Sequence, residues 1–191
     1  MALPKEYLGY FVTQLVKRLE KSGKVKLQNQ AAATERVQQV LLEDIAQEDK
    51  LNQEVRDYLE QYQERIRRDA ISYQEMYKLV KKELMKKHKI GISNRPEPDS
   101  KYSRDKVVDL SHKMIKSLAE AGPPVELLEE RNEVRLEIMR QMQGLLREES
   151  LMDRGIRDKI RSQKREITEG SEEWDILFRR YYSEELRKLG I

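Results

Sequence analysis

Three side chains in the second half of the chain have the types and spacing of a metal-binding group. Asp105, Asp109 and His112 follow one another at steps of four and three residues, which places them on one side of a helix. Two carboxylates and an imidazole suit a divalent cation. The alternative is a solvated face that pairs with nearby lysines. We favour the solvated face because the corresponding positions of the first half hold one carboxylate and no imidazole. No metal site is therefore predicted, and Asp105, Asp109 and His112 stay the weak candidate for one.

The sequence otherwise lacks the common catalytic and cofactor-binding motifs. The chain has no cysteine and two histidines, which lie in different halves. It contains neither a glycine-rich phosphate loop nor a serine in a nucleophile elbow. We therefore predict a non-enzymatic protein that uses no cofactor and has no evident small-molecule substrate.

The strongest surface signal is the basic segment KLVKKELMKKHK, residues 78–89. On a helix, one side of this segment is apolar and the other carries lysines. Residues 1–95 hold 19 lysines and arginines against 14 acids, whereas residues 96–191 hold 19 against 21. The predicted basic patch comprises Arg65, Arg67, Arg68, Lys78, Lys81, Lys82, Lys86 and Lys89. Such a patch suits a phosphate backbone or an acidic partner, although many solvated helices look the same.

A second candidate surface lies in the closing segment, EGSEEWDILFRRYYSEELRKLGI. Ser171 is expected to cap a helix whose buried stripe runs from Trp174 to Tyr181. The predicted protein interface comprises Arg179, Arg180, Tyr181 and Tyr182. Arginine and aromatic residues are enriched in interface hot spots. The alternative is that these aromatic residues simply form the core of a small domain.

The elements that position these surfaces are predicted to be helices. The sequence is 38% charged and 38% hydrophobic, with 6% aromatic residues, which is typical of helical proteins rich in Lys, Arg, Glu and Leu. Apolar residues recur at helical spacing in four segments of each half. We therefore predict an all-α fold.

The chain also repeats itself. When residues 102–191 are aligned with residues 3–90, at an offset of 99 and then of 101 residues, apolar positions coincide although identities are few. A period of this length has the size of a domain. We predict two tandem homologous helical domains of about four helices each, domain 1 in residues 1–90 and domain 2 in residues 102–191.

Residues 91–101 are predicted to be the linker, because Pro96 and Pro98 forbid a continuous helix. Within each domain, the second and third helices are expected to be separate, and in domain 2 they span about residues 125–149 and 153–163. Residues 25 and 27, Val and Leu, alternate with lysines. They are assigned to a loop, with a short extended strand as the alternative.

Composition also points to a compartment. Without cysteine, neither disulfides nor thiolate metal sites can form, which suits a reducing interior. No apolar run approaches the roughly 18 residues of a membrane span, and the N-terminus does not resemble a secretory signal. We predict a cytoplasmic protein that does not cross a membrane.

Two strings resemble a known family. ITEGSEEWDILFRRYYSEELRKLGI, residues 167–191, and RNEVRLEIMRQM, residues 131–142, are similar to segments of the bacterial family catalogued as domain of unknown function 507. The likeness covers the whole chain, including the opening helix of each repeat. The resemblance implies a helical, internally duplicated, cytoplasmic bacterial protein with no assigned activity, and it carries over no functional residue.

The surfaces lead to two hypotheses of function. The first is a helical interaction protein that binds a protein partner, or a second copy of itself, through the Arg/aromatic patch at residues 179–182. The alternative is an RNA- or DNA-binding protein that uses the basic helix at residues 78–89.

Overall fold

A computed structural model of the chain describes residues 3–62, 72–88, 101–120, 122–163, 165 and 167–190. These residues form six helices, α1 (Lys5–Lys21), α2 (Gln30–Glu60), α3 (Tyr73–Lys87), α4 (Arg104–Ala119), α5 (Arg131–Arg161) and α6 (Glu172–Lys188). They also form two short strands, β1 (Val25–Leu27) and β2 (Val125–Leu127). The prediction of a helical protein is therefore confirmed. None of the described helices is both long enough and apolar enough to span a membrane.

Several helix ends lie where local sequence signals predict them. The hydroxyls of Ser103 and Ser171 accept hydrogen bonds, both of 3.2 Å, from the amides of Lys106 and Trp174, which begins α4 and α6. Gly23 follows α1 with φ of 72°, a left-handed conformation that glycine adopts without strain. The position of a helix start sets the direction in which each later side chain of that helix points.

The prediction that the second and third helices are separate is wrong: in each half they form one continuous helix, so the described residues of each half hold three helices rather than four. α2 and α5 each run for 31 residues. Neither junction, at residues 49–50 and 150–152, contains a proline or a glycine, so the backbone hydrogen bonds continue. Gly155 lies inside α5, where glycine costs only about 1 kcal/mol relative to alanine.

The expected start of the second helix in the second half is also corrected. Residues 125–127 form β2, which pairs antiparallel with β1, so that Val25 lies opposite Leu127 and Lys26 lies opposite Glu126. The strand alternative at residues 25–27 is thus the one that the structure adopts. The two strands are about 100 residues apart in sequence, so no local pattern reveals their pairing.

One buried cluster contains apolar side chains from both predicted domains, among them Phe11, Leu41, Leu110 and Leu146. α1 packs against α5, α2 packs against α4, and α6 packs against α5. Residues of both halves therefore share this core, and the division into tandem domains stays a prediction. Residues 91–100 of the predicted linker lie outside the described residues.

A second, smaller cluster lies in the last turns of α2. Val55 and Leu59 are fully buried there, and the apolar side chains packed on them come from α3: Met76, Tyr77, Val80 and Leu84. No side chain of α3 is itself fully buried. Residues 51–60 of α2 together with α3 are called the α2–α3 arm below.

Candidate functional site

Lysines of the basic segment line the outward side of α3. Lys78, Lys82 and Lys86 are exposed and stand one turn apart, which separates neighbouring charges by about 6 Å along the helix axis. Lys86 forms an ion pair with Glu83, with Nζ and Oε1 2.8 Å apart. Within the described part of the chain, Lys78 and Lys82 have no carboxylate at ion-pair distance. The row therefore offers at least two cations to a partner.

The other members of the predicted basic patch are placed differently. Lys81 faces α2, where its Nζ lies 3.7 Å from Glu48 Oε1. Arg65, Arg67, Arg68 and Lys89 lie outside the described residues. The structure thus brings together Lys78, Lys82 and Lys86 on one face and turns Lys81 inward.

Apolar side chains are exposed on the same α2–α3 arm. Leu79 is 59% exposed and Tyr73 is 46% exposed on α3. Tyr58 on α2 and Tyr62, two residues beyond the end of α2, are also exposed, with ring centroids 5.0 Å apart. A single exposed apolar residue needs no explanation, but several exposed apolar residues in a segment that also carries unpaired cations indicate an interaction surface. The arm therefore combines apolar and basic groups.

The fold of α6 divides the predicted Arg/aromatic patch. Trp174 is buried as expected, and Tyr182 is only 5% exposed, so Tyr182 follows the alternative in which these aromatic residues form the core rather than an exposed interface. Its hydroxyl donates a hydrogen bond of 3.1 Å to Glu149 Oε1, and its ring stacks on Phe178 with centroids 5.8 Å apart. The physical reason is the buried acceptor on α5, which lies 33 residues away in sequence.

The remaining members of that patch lie at the surface of α6. Arg179 and Arg180 are exposed, and Arg180 pairs with Glu184 at 3.2 Å. Tyr181 lies at the edge, where its hydroxyl accepts a 2.6 Å hydrogen bond from Gln163 and its ring receives the ammonium of Lys159 at 3.8 Å. The outward face of α6 is therefore rich in arginine and poor in aromatic rings.

The candidate metal ligands Asp105, Asp109 and His112 are all exposed on α4. Asp109 instead pairs with Lys113, with Oδ2 and Nζ 2.7 Å apart. No cluster of three or more His, Asp or Glu side chains among the described residues has the geometry to hold a metal ion. Asp105, Asp109 and His112 therefore lie on a solvated face of α4.

Sequence reasoning missed a buried polar network around Glu149 in α5. The Glu149 side chain has no solvent exposure, and Oε1 accepts hydrogen bonds from Lys101 Nζ and the Tyr182 hydroxyl. Among the described residues, Oε2 has no hydrogen-bond partner. Lys101 also lies 3.5 Å from Asp153 Oδ1. Burial raises the pKa of Glu149, although the hydrogen bond and charge of Lys101 act in the opposite direction.

One sequence signal does mark Glu149. It follows Leu145 and Leu146 by four and three residues, which places a carboxylate on the apolar stripe of α5. A carboxylate in that position requires a buried partner. Its partners come from outside α5. The sequence therefore marks Glu149 but not the network, in which Lys101, just before α4, and Tyr182 of α6 both contact α5.

A second internal cluster joins α4 to α2. Lys106 Nζ lies 2.9 Å from Asp44 Oδ2 and 2.8 Å from Glu48 Oε2. Burial acts to lower the pKa of Lys106, but hydrogen bonds to both carboxylates outweigh it and the pKa is raised. Burial also raises the pKa of the neighbouring Tyr102 hydroxyl to about 12. Near neutral pH, Lys106 therefore stays protonated and charged and Tyr102 stays neutral. Both groups hold the helices in place and do not exchange protons.

Comparison with known proteins gives a family and no activity. A family model described as "Protein of unknown function (DUF507)" matches residues 1–191, the full length given. No curated protein matches the chain. The family match confirms the resemblance carried by the strings at residues 131–142 and 167–191. Since the description names no activity, function has to be inferred from the surfaces of the protein.

Proposed function

We propose that this chain, which belongs to the DUF507 family, is a non-enzymatic helical interaction protein that binds an acidic protein surface through the α2–α3 arm. The observation that carries the proposal is α3 itself, an amphipathic helix that contributes no fully buried side chain. The interface is placed on α3 rather than on residues 179–182 because Tyr182 is part of the core.

The outward face of α3 has the chemistry of a protein interface. At about 100° per residue, Leu79 lies within roughly 60° of Lys82 and Lys86 around the helix axis. An exposed leucine beside lysines fits an apolar patch that is rimmed by carboxylates. A phosphate backbone would satisfy the lysines but would leave Leu79 without a contact. This difference favours a protein over a nucleic acid.

Photocrosslinking in the cells that naturally make the protein tests the proposal. Leu79 is replaced by photoreactive benzoylphenylalanine in the full-length chain, and adducts are identified by mass spectrometry. We expect one dominant protein adduct, and we expect Lys78→Glu with Lys82→Glu to reduce it at least fivefold because both charges then repel an acidic partner.

Leu151 provides the matched control, because it is 58% exposed on α5, close to the 59% of Leu79. The same photoreactive residue at position 151 should not give the adduct. Equal adducts at both positions, or an adduct that is insensitive to charge reversal, would contradict the proposal. A crosslink to a second copy of the chain would replace the acidic partner by self-association.

RNA or DNA binding is the second candidate, and a specific observation favours it. At the 101-residue offset, Lys78 aligns with Arg179 and Lys86 aligns with Arg187, so both closing helices carry exposed cations two turns apart. Cations at matching outward positions, which the core does not require, suit a repeated phosphate contact.

Salt dependence separates this candidate from the first. If α3 binds single-stranded RNA, the logarithm of the affinity for a 30-nucleotide oligomer should fall linearly with the logarithm of salt concentration. Lys78→Gln with Lys82→Gln should then reduce the slope by about 1.4, since each phosphate contact contributes about 0.7. Fluorescence anisotropy measures both. Lys116→Gln on α4 is the control, because Lys116 is exposed and has no carboxylate at ion-pair distance among the described residues.

A further inference from the structure

A cleft of about 460 Å³ lies between α1, α5 and α6. None of its lining residues belongs to the α2–α3 arm. Its apolar lining comprises Tyr7, Tyr10, Met152, Ile156 and Leu189. Ligand sites in proteins typically measure about 300 to 1,000 Å³ and have mainly apolar and aromatic walls. The cleft therefore has the size and lining of a small-molecule site.

Gly155 lines this cleft from within α5. Apart from its two chain neighbours and the backbone of its own helix, no atom lies within 4 Å of the position that a Cβ would take, so no packed side chain requires a glycine there. Gly9 in α1 has equally open surroundings but does not line the cleft, so openness alone is not distinctive. What distinguishes Gly155 is that its missing side chain leaves room inside the cleft, although glycine weakens a helix by about 1 kcal/mol.

Among the described residues, each charged side chain that lines the cleft has an ion-pair partner at the rim. The pairs are Lys159–Glu184, Lys188–Glu185 and Arg18–Glu148, with nitrogen–oxygen distances of 3.5, 2.6 and 2.8 Å. Each cation at the rim already has a carboxylate, and each carboxylate has a cation. A charged ligand would compete with these pairs for the same cations or carboxylates, whereas a neutral ligand would not.

We propose that this cleft binds a neutral, largely apolar molecule that carries an aromatic ring. Tyr10 is partly exposed and offers its ring to a ligand ring, and the buried Tyr7 packs against Tyr10 with ring centroids 5.4 Å apart. Met152 adds a polarisable thioether, which packs well against rings. This site is independent of the interaction surface proposed on the α2–α3 arm.

Two fluorescent probes that share one aromatic body test the proposal on the full-length protein. N-phenyl-1-naphthylamine is neutral, and 8-anilino-1-naphthalenesulfonate carries one negative charge. We expect the neutral probe to bind at one site and the sulfonate to bind at least tenfold more weakly. Absence of binding by the neutral probe, or equal affinity for both probes, would overturn the proposal.

A substitution inside the cleft tests the location. Gly155→Leu places a branched side chain in the cleft and should weaken the neutral probe at least tenfold. Gly9→Leu makes the same change in equally open helical surroundings outside the cleft, and it should leave the affinity unchanged. Circular dichroism checks that both variants are folded. Unchanged affinity in Gly155→Leu, or equal losses in the two variants, would place the probe elsewhere.

Sedimentation distinguishes a small ligand from a second copy of the chain. The unmodified protein and Gly155→Leu should sediment at the same mass if the cleft serves a small molecule. A dimer that becomes a monomer in Gly155→Leu would make the cleft a self-association surface and would overturn the proposal. Lys78→Glu with Lys82→Glu should leave probe binding unchanged, so failure of the arm proposal would leave this one intact.

Discussion

Among single residues, Glu149 depends most on one partner. Its side chain has no solvent exposure, and the ammonium of Lys101, which is only 11% exposed, lies against Oε1. Removing one member of a buried ion pair typically costs about 3 to 5 kcal/mol, whereas replacing both by neutral groups is often close to neutral. The pair therefore contributes little net free energy to folding. Its main effect is to fix the position of the segment before α4 against α5 and α6.

Lys101→Met is expected to lower the free energy of unfolding by about 3 kcal/mol at neutral pH, because it leaves Glu149 without its cation. The loss should shrink as the pH falls. A carboxyl whose pKa is raised by folding binds its proton more tightly in the folded state, so folding gains stability as pH falls from the folded pKa toward the unfolded pKa. Urea unfolding at about pH 8 and about pH 5 measures both effects.

The double variant Lys101→Met with Glu149→Gln is the control for this pair. It should recover most of the lost stability, and the difference between the two pH values should become smaller than in Lys101→Met alone. If the difference persists unchanged, the pH dependence belongs to other carboxylates and Glu149 is not its source.

Arg36 in α2 caps the end of α4. Its guanidinium donates to the carbonyl oxygens of Ser117, Glu120 and Gly122 at 2.7 to 2.9 Å. Arg36→Lys should lower the free energy of unfolding by about 2 kcal/mol, because one ammonium cannot reproduce the planar set of donors. Urea unfolding measures the loss. Arg56→Lys, at an exposed site, should change stability by less than about 0.5 kcal/mol.

The sequence marks these residues less well than it marks the core. The apolar stripes of the helices are periodic and local, so Trp174 and Leu15 are recognisable in the sequence as buried. Tyr182, Arg36 and Lys101 differ because their partners lie 33, 81 and 48 residues away. A hydrogen-bond partner at that separation has no periodic signature, so the role of each residue appears only in the folded chain.

At the scale of elements, α3 and α6 are the closing helices of their halves but are held very differently. α6 buries Trp174, Tyr182 and Leu186 against the main core, whereas α3 has no fully buried side chain and packs on the end of α2. Helices with few buried contacts open more readily than helices that are anchored in a core. α3 is therefore expected to be the less stable of the two.

Hydrogen–deuterium exchange should show this difference. Amides in the middle of α3, such as those of Val80 and Leu84, should exchange at least tenfold faster than amides in the middle of α6, because α3 opens with a smaller free-energy cost. The amides of α5 serve as a protected reference in the same sample. Equal protection of α3 and α6 in the isolated protein would contradict a weakly anchored arm.

Element boundaries show what local sequence specifies. Ser103, Ser171 and Gly23 mark helix ends correctly because capping depends on neighbouring backbone groups. The continuity of α2 and α5 is harder to infer. Their apolar positions change partner along the helix, from the main core to α3 in the case of α2, and a shift of the stripe resembles a break.

For the whole molecule, the pairing of β1 with β2 and the packing of α1 on α5 tie the first half to the second. These contacts cross the predicted boundary between the domains, and they do so through buried residues rather than a solvated interface. Composition and periodicity indicate the helical class correctly. Contacts between the halves depend on which apolar helix faces pack together, and the apolar face of one helix does not indicate which other helix will cover it.

The single tryptophan, Trp174, lies in the second half and reports whether the halves unfold together. Leu15→Ala in α1 removes a fully buried side chain and should cost about 3 kcal/mol. Because Leu15 and Trp174 belong to one core, the urea midpoint followed by Trp174 fluorescence should fall by the same amount as the midpoint followed by circular dichroism. Leu110→Ala, in the second half, should likewise lower both midpoints by the same amount. An unmoved Trp174 transition in Leu15→Ala would instead show that the halves unfold as independent domains.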